Sequence, residues 1–269
     1  MCIAYNITHR SRQFCVAASK SGGFTLVELL AVFAVIAIIM AILAPALAAG
    51  KNKTQSVICI NNLRQMQIAM INYSGDSNDM LPPNHDGFVT NENTRSWTIG
   101  NMMNPRERTN INLLMGATTA VLGKYIQNSL IYRCPTDKSN NSRSYSLNGW
   151  INPVRESGPP RWLNESTNHF KVFRRLSDCT SLNKLVSFIQ EDNSSINDGY
   201  FAVNAGGLVK RYVDIPHLGH GRRVFGACID GRLVDCKIYG NLKTAGLIND
   251  STLLRQYDRF SSLFTEKVD

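Results

Sequence analysis

The residues able to do chemistry are few, and most sit in loops. His217 and His220 are three apart, a spacing that suits two metal ligands on one helical turn, but Pro216, Gly219 and Gly221 surround them and read as a loop. The better expectation for His220 is a hydrogen bond to backbone near the β-hairpin that follows it. Cys134 could pair with a histidine as a thiol nucleophile, but Pro135 and a β-prone run before it suit a structural cysteine better. Asp76 with Asp79, and Glu191 with Asp192 and Asp198, could supply oxygen ligands to calcium, yet neither set has the spacing of an EF-hand loop. Acidic residues in such loops are usually solvated. No nucleophile elbow, zincin helix, phosphate-binding loop or dinucleotide fingerprint occurs. The expected reading is a protein with no catalytic residues, no metal and no cofactor, calcium in a head loop being the one cofactor weighed.

The cysteines bound the redox chemistry. Of 7 in the chain, Cys2 and Cys15 precede a long apolar segment, and Cys59, Cys134, Cys179, Cys228 and Cys236 follow it. An odd number after the segment leaves at least one thiol free or paired between chains. No C-x-x-C pair occurs, which argues against a structural zinc knuckle or a thioredoxin-like site. If one bridge forms within the chain, Cys59–Cys134 is the expected pair.

The carboxylate that stands out is Glu28. It begins an apolar run, Leu29 to Ala49, of 21 residues without a charge. As a helix that run spans roughly 30 Å, the thickness of a bilayer's hydrocarbon core. A carboxylate at its edge costs a few kcal/mol unless it finds a partner. A cut before Phe24 would create an α-amino cation one helical turn away, and a neighbouring chain could supply one too. Arg10, Arg12 and Lys20 precede the run with no acid among them, which sets the N-terminus in the cytoplasm and the C-terminal bulk outside. The chain carries 29 basic and 20 acidic residues, a net +9. With no run of five or more like charges, this balance does not point to nucleic acid.

Lys20-Ser-Gly-Gly23-Phe24-Thr-Leu-Val-Glu28-Leu-Leu resembles the class III leader of type IV prepilins and pseudopilins. The resemblance implies that Gly23 precedes the cut, that Phe24 is the first mature residue, and that Glu28 is the fifth-position glutamate used in assembly. Pro45 falls where many of these helices carry a kink-forming proline. The implied partners are a prepilin peptidase, which cuts and methylates, and other pilin-like subunits in the membrane or in a filament. The implied location is the inner membrane, single-pass, with the head on the periplasmic or extracytoplasmic side. Some pseudopilins also hold calcium in a head loop. An ordinary signal-peptidase site, Ala46-Leu47-Ala48, competes, but the apolar run exceeds the usual h-region.

The elements that must position these residues follow from periodicity. Ile60, Leu63, Met66, Met70 and Tyr73 form one apolar stripe, with Asn61, Asn62, Arg64, Gln65, Gln67 and Asn72 on the other faces. One helix over 24–74 is therefore expected, transmembrane in its first half, capped by Gly75 and with a potential break between Pro45 and Gly50. Residues 1–23 form the leader and 75–269 an α+β head. Within the head, 76–108, 142–149 and 157–168 read as loop, 111–126 holds a short helix, and 130–134 and 184–190 read as strands. Arg222–Ile229 and Arg232–Ile238 flank Asp230-Gly231, a hairpin with a two-residue turn that opposes Cys228 to Leu233 and Phe225 to Cys236. The two cysteines on it are then too far apart to bridge.

His220 with Asp230-Gly231 also makes an H-x9-D-G pattern, which resembles the C-terminal signature of a large prepilin-type family. Cys59-Ile-Asn-Asn-Leu-Arg-Gln, Arg133-Cys134-Pro135-Thr-Asp137 and Ser144-Tyr145-Ser-Leu-Asn148 look like further landmarks of it. Many members have His after Asp-Gly, where this chain has Arg232. The expected protein is a pilin-like α+β subunit of a type II secretion or type IV pilus-like filament. The alternative is a single-pass anchored ligand- or carbohydrate-binding surface protein that never polymerises.

Overall fold

A computed structural model of the 269-residue chain describes residues 23–85, 94–116, 118–154, 170–204, 212–239, 242 and 251–266. The expectation of loop over 157–168 lies outside them. The chain divides into two units, the first ending at Ala49 and the second being Gly50–Asp269. The fold is α+β: a long N-terminal apolar helix followed by a head of mixed helix and sheet.

Helix α1 spans Leu26–Asp76, is 51 residues long, and runs through Pro45 and Gly50 without interruption. In the first unit Leu29, Val32, Phe33, Ile36, Ile39 and Leu43 are all exposed. This segment is long and apolar enough to cross a membrane, and none of it is buried. In the second unit the helix buries Cys59, Leu63, Met66, Met70 and Tyr73. Gly75 is not the cap: the helix passes through it, and Asn78 and Asp79 take the left-handed conformation instead, with φ of 50° and 68°. Asn and Asp tolerate that region better than other side chains, and Asp79 N–H closes the end on the Ser74 carbonyl at 2.9 Å.

Seven short strands follow among the described residues of the head: β1 (Asn84–His85), β2 (Tyr145–Asn148), β3 (Pro153–Val154), β4 (Val186–Gln190), β5 (Tyr200–Phe201), β6 (Arg223–Cys228) and β7 (Leu233–Lys237). β1 and β3 pair in parallel; the others form one sheet in the order β5-β2-β4-β6-β7. Its β2–β4, β4–β6 and β6–β7 pairs are antiparallel. Helices α2 (Asn112–Met115) and α3 (Ser251–Ser261) complete the head, with Phe264 just after α3 stacking on Phe201 of β5.

Three expectations are corrected here. Residues 129–132 form a 3-10 turn rather than a strand, because the Asn128 side chain caps Leu130 N–H at 3.0 Å. Residues 145–148 are a fully buried inner strand rather than a loop. Its polar side chains are paired in the core: Asn148 Nδ2 donates to the Val186 carbonyl at 2.7 Å and to the Phe264 carbonyl at 2.8 Å. The hairpin exists, but its register is one residue off the expected one. Ala227 opposes Leu233, and Val224 opposes Cys236. Cys228 N–H donates to the Arg232 carbonyl at 2.7 Å, leaving residues 229–231 as a three-residue loop with φ of 83° at Gly231. Among non-glycine residues Asp230 is not in the positive-φ set, which suits a type I turn ending in a left-handed glycine rather than the tighter turn. One residue of slip puts each side chain of one strand on the opposite face.

Candidate functional site

At the N-terminus, Gly23 and Phe24 precede α1, and Phe24 is 76% exposed. The Glu28 carboxylate is not idle within its own chain. Thr25 N–H and Thr25 Oγ1 both donate to Glu28 Oε2 at 2.8 Å, and Glu28 N–H donates back to Thr25 Oγ1 at 3.3 Å. This is a capping box, Thr25 taking the cap and Glu28 the third helical position. The Thr-x-x-Glu spacing was present in the sequence and points to the same contact.

The H-x9-D-G residues do not meet in one place. His220 lies just before β6 and Asp230-Gly231 just after it, so the pattern brackets the strand. Helix α1 holds both ends. Ser56 Oγ lies 3.1 Å from His220 Nδ1, and Gln67 Nε2 donates to the Ile229 carbonyl at 2.8 Å. Ser56 and Gln67 are 11 residues apart, three turns, so they share one face about 16 Å long. That is close to the reach of a six-residue strand. Gln67 is 1% exposed and Asn62 is 7% exposed, so neither points away from the core as the polar pattern suggested. Asp230 is occupied locally, its Oδ1 accepting from Arg232 N–H at 2.9 Å.

His220 differs from its expectation too: its ring meets side chains rather than hairpin backbone. Besides Ser56, its Nε2 lies 3.3 Å from Cys134 Sγ and 3.4 Å from Thr136 Oγ1, and its ring packs on Phe225. Cys59, Cys134 and His220 are all buried, and their ligand atoms lie within 4.8 Å of one another. Both cysteines are free thiols in this structure. Tyr145 O–H donates to Cys59 Sγ at 3.3 Å. The contact with Cys59 draws the Cys134 thiol below its ordinary value, against its burial and with help from His220 and Thr136, while the same contact together with burial pushes Cys59 up. Pieces 59–65, 133–137 and 144–148 of the sequence thus converge. Asn62 Nδ2 donates to the Arg133 carbonyl at 2.9 Å, and Ser144 Oγ donates to Asp137 at 2.6 Å. Sequence spacing separates Cys59, Cys134 and His220 widely, and only tertiary packing joins them.

The acidic groups weighed for calcium are engaged with protein partners. Asp76 accepts from Tyr125 O–H at 2.7 Å, Asp79 from Ser177 N–H at 3.2 Å. Glu191 is buried and accepts from Ser146 Oγ at 2.6 Å and Ser195 Oγ at 2.9 Å. Burial pushes the Glu191 carboxyl well up. Beside these residues the buried Arg143 donates to the Tyr145 carbonyl at 2.8 Å and the Asp198 carbonyl at 2.6 Å. Asp192 Oδ2 lies 3.5 Å from His217 Nδ1.

Compared with known proteins, no curated protein and no solved structure matches the chain. Residues 18–44 match the family model of the prokaryotic N-terminal methylation motif. That stretch contains Gly23, Phe24 and Glu28 and most of the uncovered apolar part of α1. The chain carries a prepilin-type N-terminal methylation motif on an apolar helix, an arrangement that fits a membrane-anchored protein.

Proposed function

We propose that the chain is a non-enzymatic, pilin-like subunit of a type II secretion or type IV pilus-like filament. A prepilin peptidase cuts after Gly23 and methylates the amino group of Phe24. The observation that carries this reading is the methylation motif at 18–44, joined to a helix whose apolar side chains are exposed all round. Such a surface cannot face water; it requires lipid before assembly and other subunits' helices after it. The basic residues before it favour a cytoplasmic N-terminus and an extracytoplasmic head.

In assembly, Glu28 exchanges its capping contact with Thr25 for the amino group of a neighbouring subunit. The charge pair forms where lipid and helices exclude water, so leaving either partner alone is costly. Pro45 removes one helical hydrogen bond and lets the bundle bend locally.

The test is the mass of the mature N-terminus, taken from native membranes. A chain beginning at N-methylated Phe24 supports the reading, and replacement of Gly23 by Val should leave the full precursor in the membrane. An intact Met1, or a chain starting at Ala49, would refute it.

A further inference from the structure

We propose that Cys59, Cys134 and His220 form a binding site for one thiophilic d10 cation, Zn2+ by expectation with Cu+ as its competitor, tying α1 to the loop before β6. The site lies wholly within the Gly50–Asp269 unit, so it stands or falls independently of processing and filament assembly.

The geometry is close to what a tetrahedral ion needs. Zn–S bonds near 2.3 Å and Zn–N bonds near 2.0 Å give ligand-to-ligand edges of roughly 3.5–3.8 Å. The three ligand atoms here lie within 4.8 Å of each other, with Cys134 Sγ and His220 Nε2 at 3.3 Å. Side-chain adjustments of about 1 Å close the set.

The outer contacts fix each ligand in the right form. Ser56 Oγ lies 3.0 Å from the Asn52 carbonyl, to which its proton can go, leaving its lone pairs to accept from His220 Nδ1. With the imidazole proton on Nδ1, facing Ser56, the Nε2 lone pair on the Cys134 side is free to bind an ion. A hydrogen-bonded second nitrogen is the usual support of a metal-bound imidazole. Cys59 receives the Tyr145 O–H, a donor that favours a thiolate.

A second, independent observation comes from Gln190. Its side chain is 1% exposed and its Nε2 has no partner, while its Oε1 lies 3.5 Å from Cys59 Sγ. With Cys59 as a thiol, S–H donates to Oε1 and the amide nitrogen is orphaned, which costs on the scale of a lost hydrogen bond. Rotating the amide by 180°, a change that diffraction rarely distinguishes, turns N–H toward the sulfur. A thiolate accepts from that donor more strongly than a thiol does. Gln190 is thus a buried amide that can present its acceptor to a Cys59 thiol or its donor to a metal-bound thiolate.

Binding takes both sulfurs as thiolates, so any thiol proton that Cys59 or Cys134 carries leaves to solvent, and a neutral His220 contributes a lone pair without losing a proton. Thr136 Oγ1, 3.1 Å from Cys134 Sγ, marks the fourth position, where its hydroxyl or a water completes the tetrahedron. A surface groove lined by Ile58, Asn62, Arg133, Pro135 and Asp137 reaches Cys134 and provides the way in.

The test uses the full chain in detergent, purified anaerobically with reductant. The protein is loaded with Zn2+, Cu+ or Co2+ and desalted, and metal is measured per chain. The expected result is one ion per chain, with thiolate-to-cobalt charge-transfer and tetrahedral bands in the Co2+ form. Cys59→Ser, Cys134→Ser and His220→Gln should each lower retention at least tenfold, while Cys236→Ser retains it. Where a variant fails to fold, alkylation mapping of the wild type replaces it, bound metal protecting Cys59 and Cys134 but not Cys236. Competition between Zn2+ and Cu+ identifies the preferred ion, and stoichiometric uptake of either supports the site. Folded wild-type chain that takes up no stoichiometric ion overturns it. So does undiminished uptake by Cys59→Ser, or a Cys59–Cys134 disulfide that forms in place of binding.

Discussion

Gln67 offers the sharpest test of how the helix is locked to the sheet. Its Nε2 donates to the Ile229 carbonyl, and its Oε1 receives the Ser187 hydroxyl. Gln67→Ala removes both contacts from a side chain that is 1% exposed. Ser187 loses little, because its hydroxyl also reaches the Ala227 carbonyl at 2.9 Å. The Ile229 carbonyl is left without this donor, at a cost of about 1–3 kcal/mol. The vacated volume, on the order of 50 Å³, adds roughly 1 kcal/mol at the usual cavity rate. The sum, about 2–4 kcal/mol, lowers the melting temperature of a unit of this size by roughly 5–12 °C. Tryptophan fluorescence is the assay, since Trp97, Trp150 and Trp162 all lie in the Gly50–Asp269 unit and the apolar helix has none. Gln65→Ala, on the exposed face of the same helix, should change the melting temperature by about 1 °C or less. Gln67→Leu refills the volume but not the hydrogen bond and should fall between the two. Equal melting of Gln67→Ala and Gln65→Ala would refute the clamp.

Glu28→Gln keeps the capping box, which accepts either residue at that position, and removes only the charge; normal cutting with reduced filament yield is expected, and unchanged yield would dismiss the charge partner. Gly231→Ala should cost about 1–2 kcal/mol because its φ is 83° while its surroundings are open; Gly231→Asn should cost less, and equal denaturant midpoints for both variants and the wild type would count against the three-residue turn. Asp192 is held below the ordinary carboxylate range by the hydrogen bond from His217 first and from Ser194 second, against its partial burial. A depressed folded value means this stability is present above about pH 4 and is lost as the pH falls below it. Asp192→Asn should therefore melt lower than wild type at pH 7, by about 1 kcal/mol after solvent screening, with the gap closing at acid pH; a gap independent of pH would exclude the linkage.

What the sequence shows and what it hides follows from where each interaction is written. The methylation motif and the apolar run are local in sequence, so the motif over 18–44 and the membrane-length helix were legible before any fold was known. The stripe on the second half of α1 was legible for the same reason, because its helical period survives in the apolar residues alone. The polarity of Gln67 and Asn62 suggests exposure, but both are buried against carbonyl groups that a sequence does not display. β2 was hidden by its length: Tyr145-Ser-Leu-Asn148 alternates apolar and polar over only four residues, and Ser146 and Asn148 are satisfied inside the sheet rather than facing solvent. The hairpin failed by a single residue, since Asp-Gly serves both the two-residue turn and the three-residue one and only the partner register decides.

Cys59, Cys134 and His220 lay furthest out of reach. The absence of C-x-x-C argued against a metal knuckle, but that spacing is needed only when one short loop supplies its ligands. Here a helix, the loop after a 3-10 turn and the loop before β6 each supply one. The H-x9-D-G pattern explains how such a set can be held. Its glycine end fixes the turn at one end of β6, where Gln67 anchors it, and its histidine end meets Ser56 three helical turns away. With both ends fixed to one helix face, the ring of His220 has little freedom left, and its Nε2 is directed at Cys134 whether or not an ion is bound. A site preorganised in this way loses little entropy on binding. Loosening the distant Gln67 clamp should therefore weaken metal retention at His220 even where the folded state survives. Gln67→Leu, tested for Zn2+ retention beside its melting curve, measures that coupling: retention equal to wild type would show that the histidine end is held without help from the glycine end.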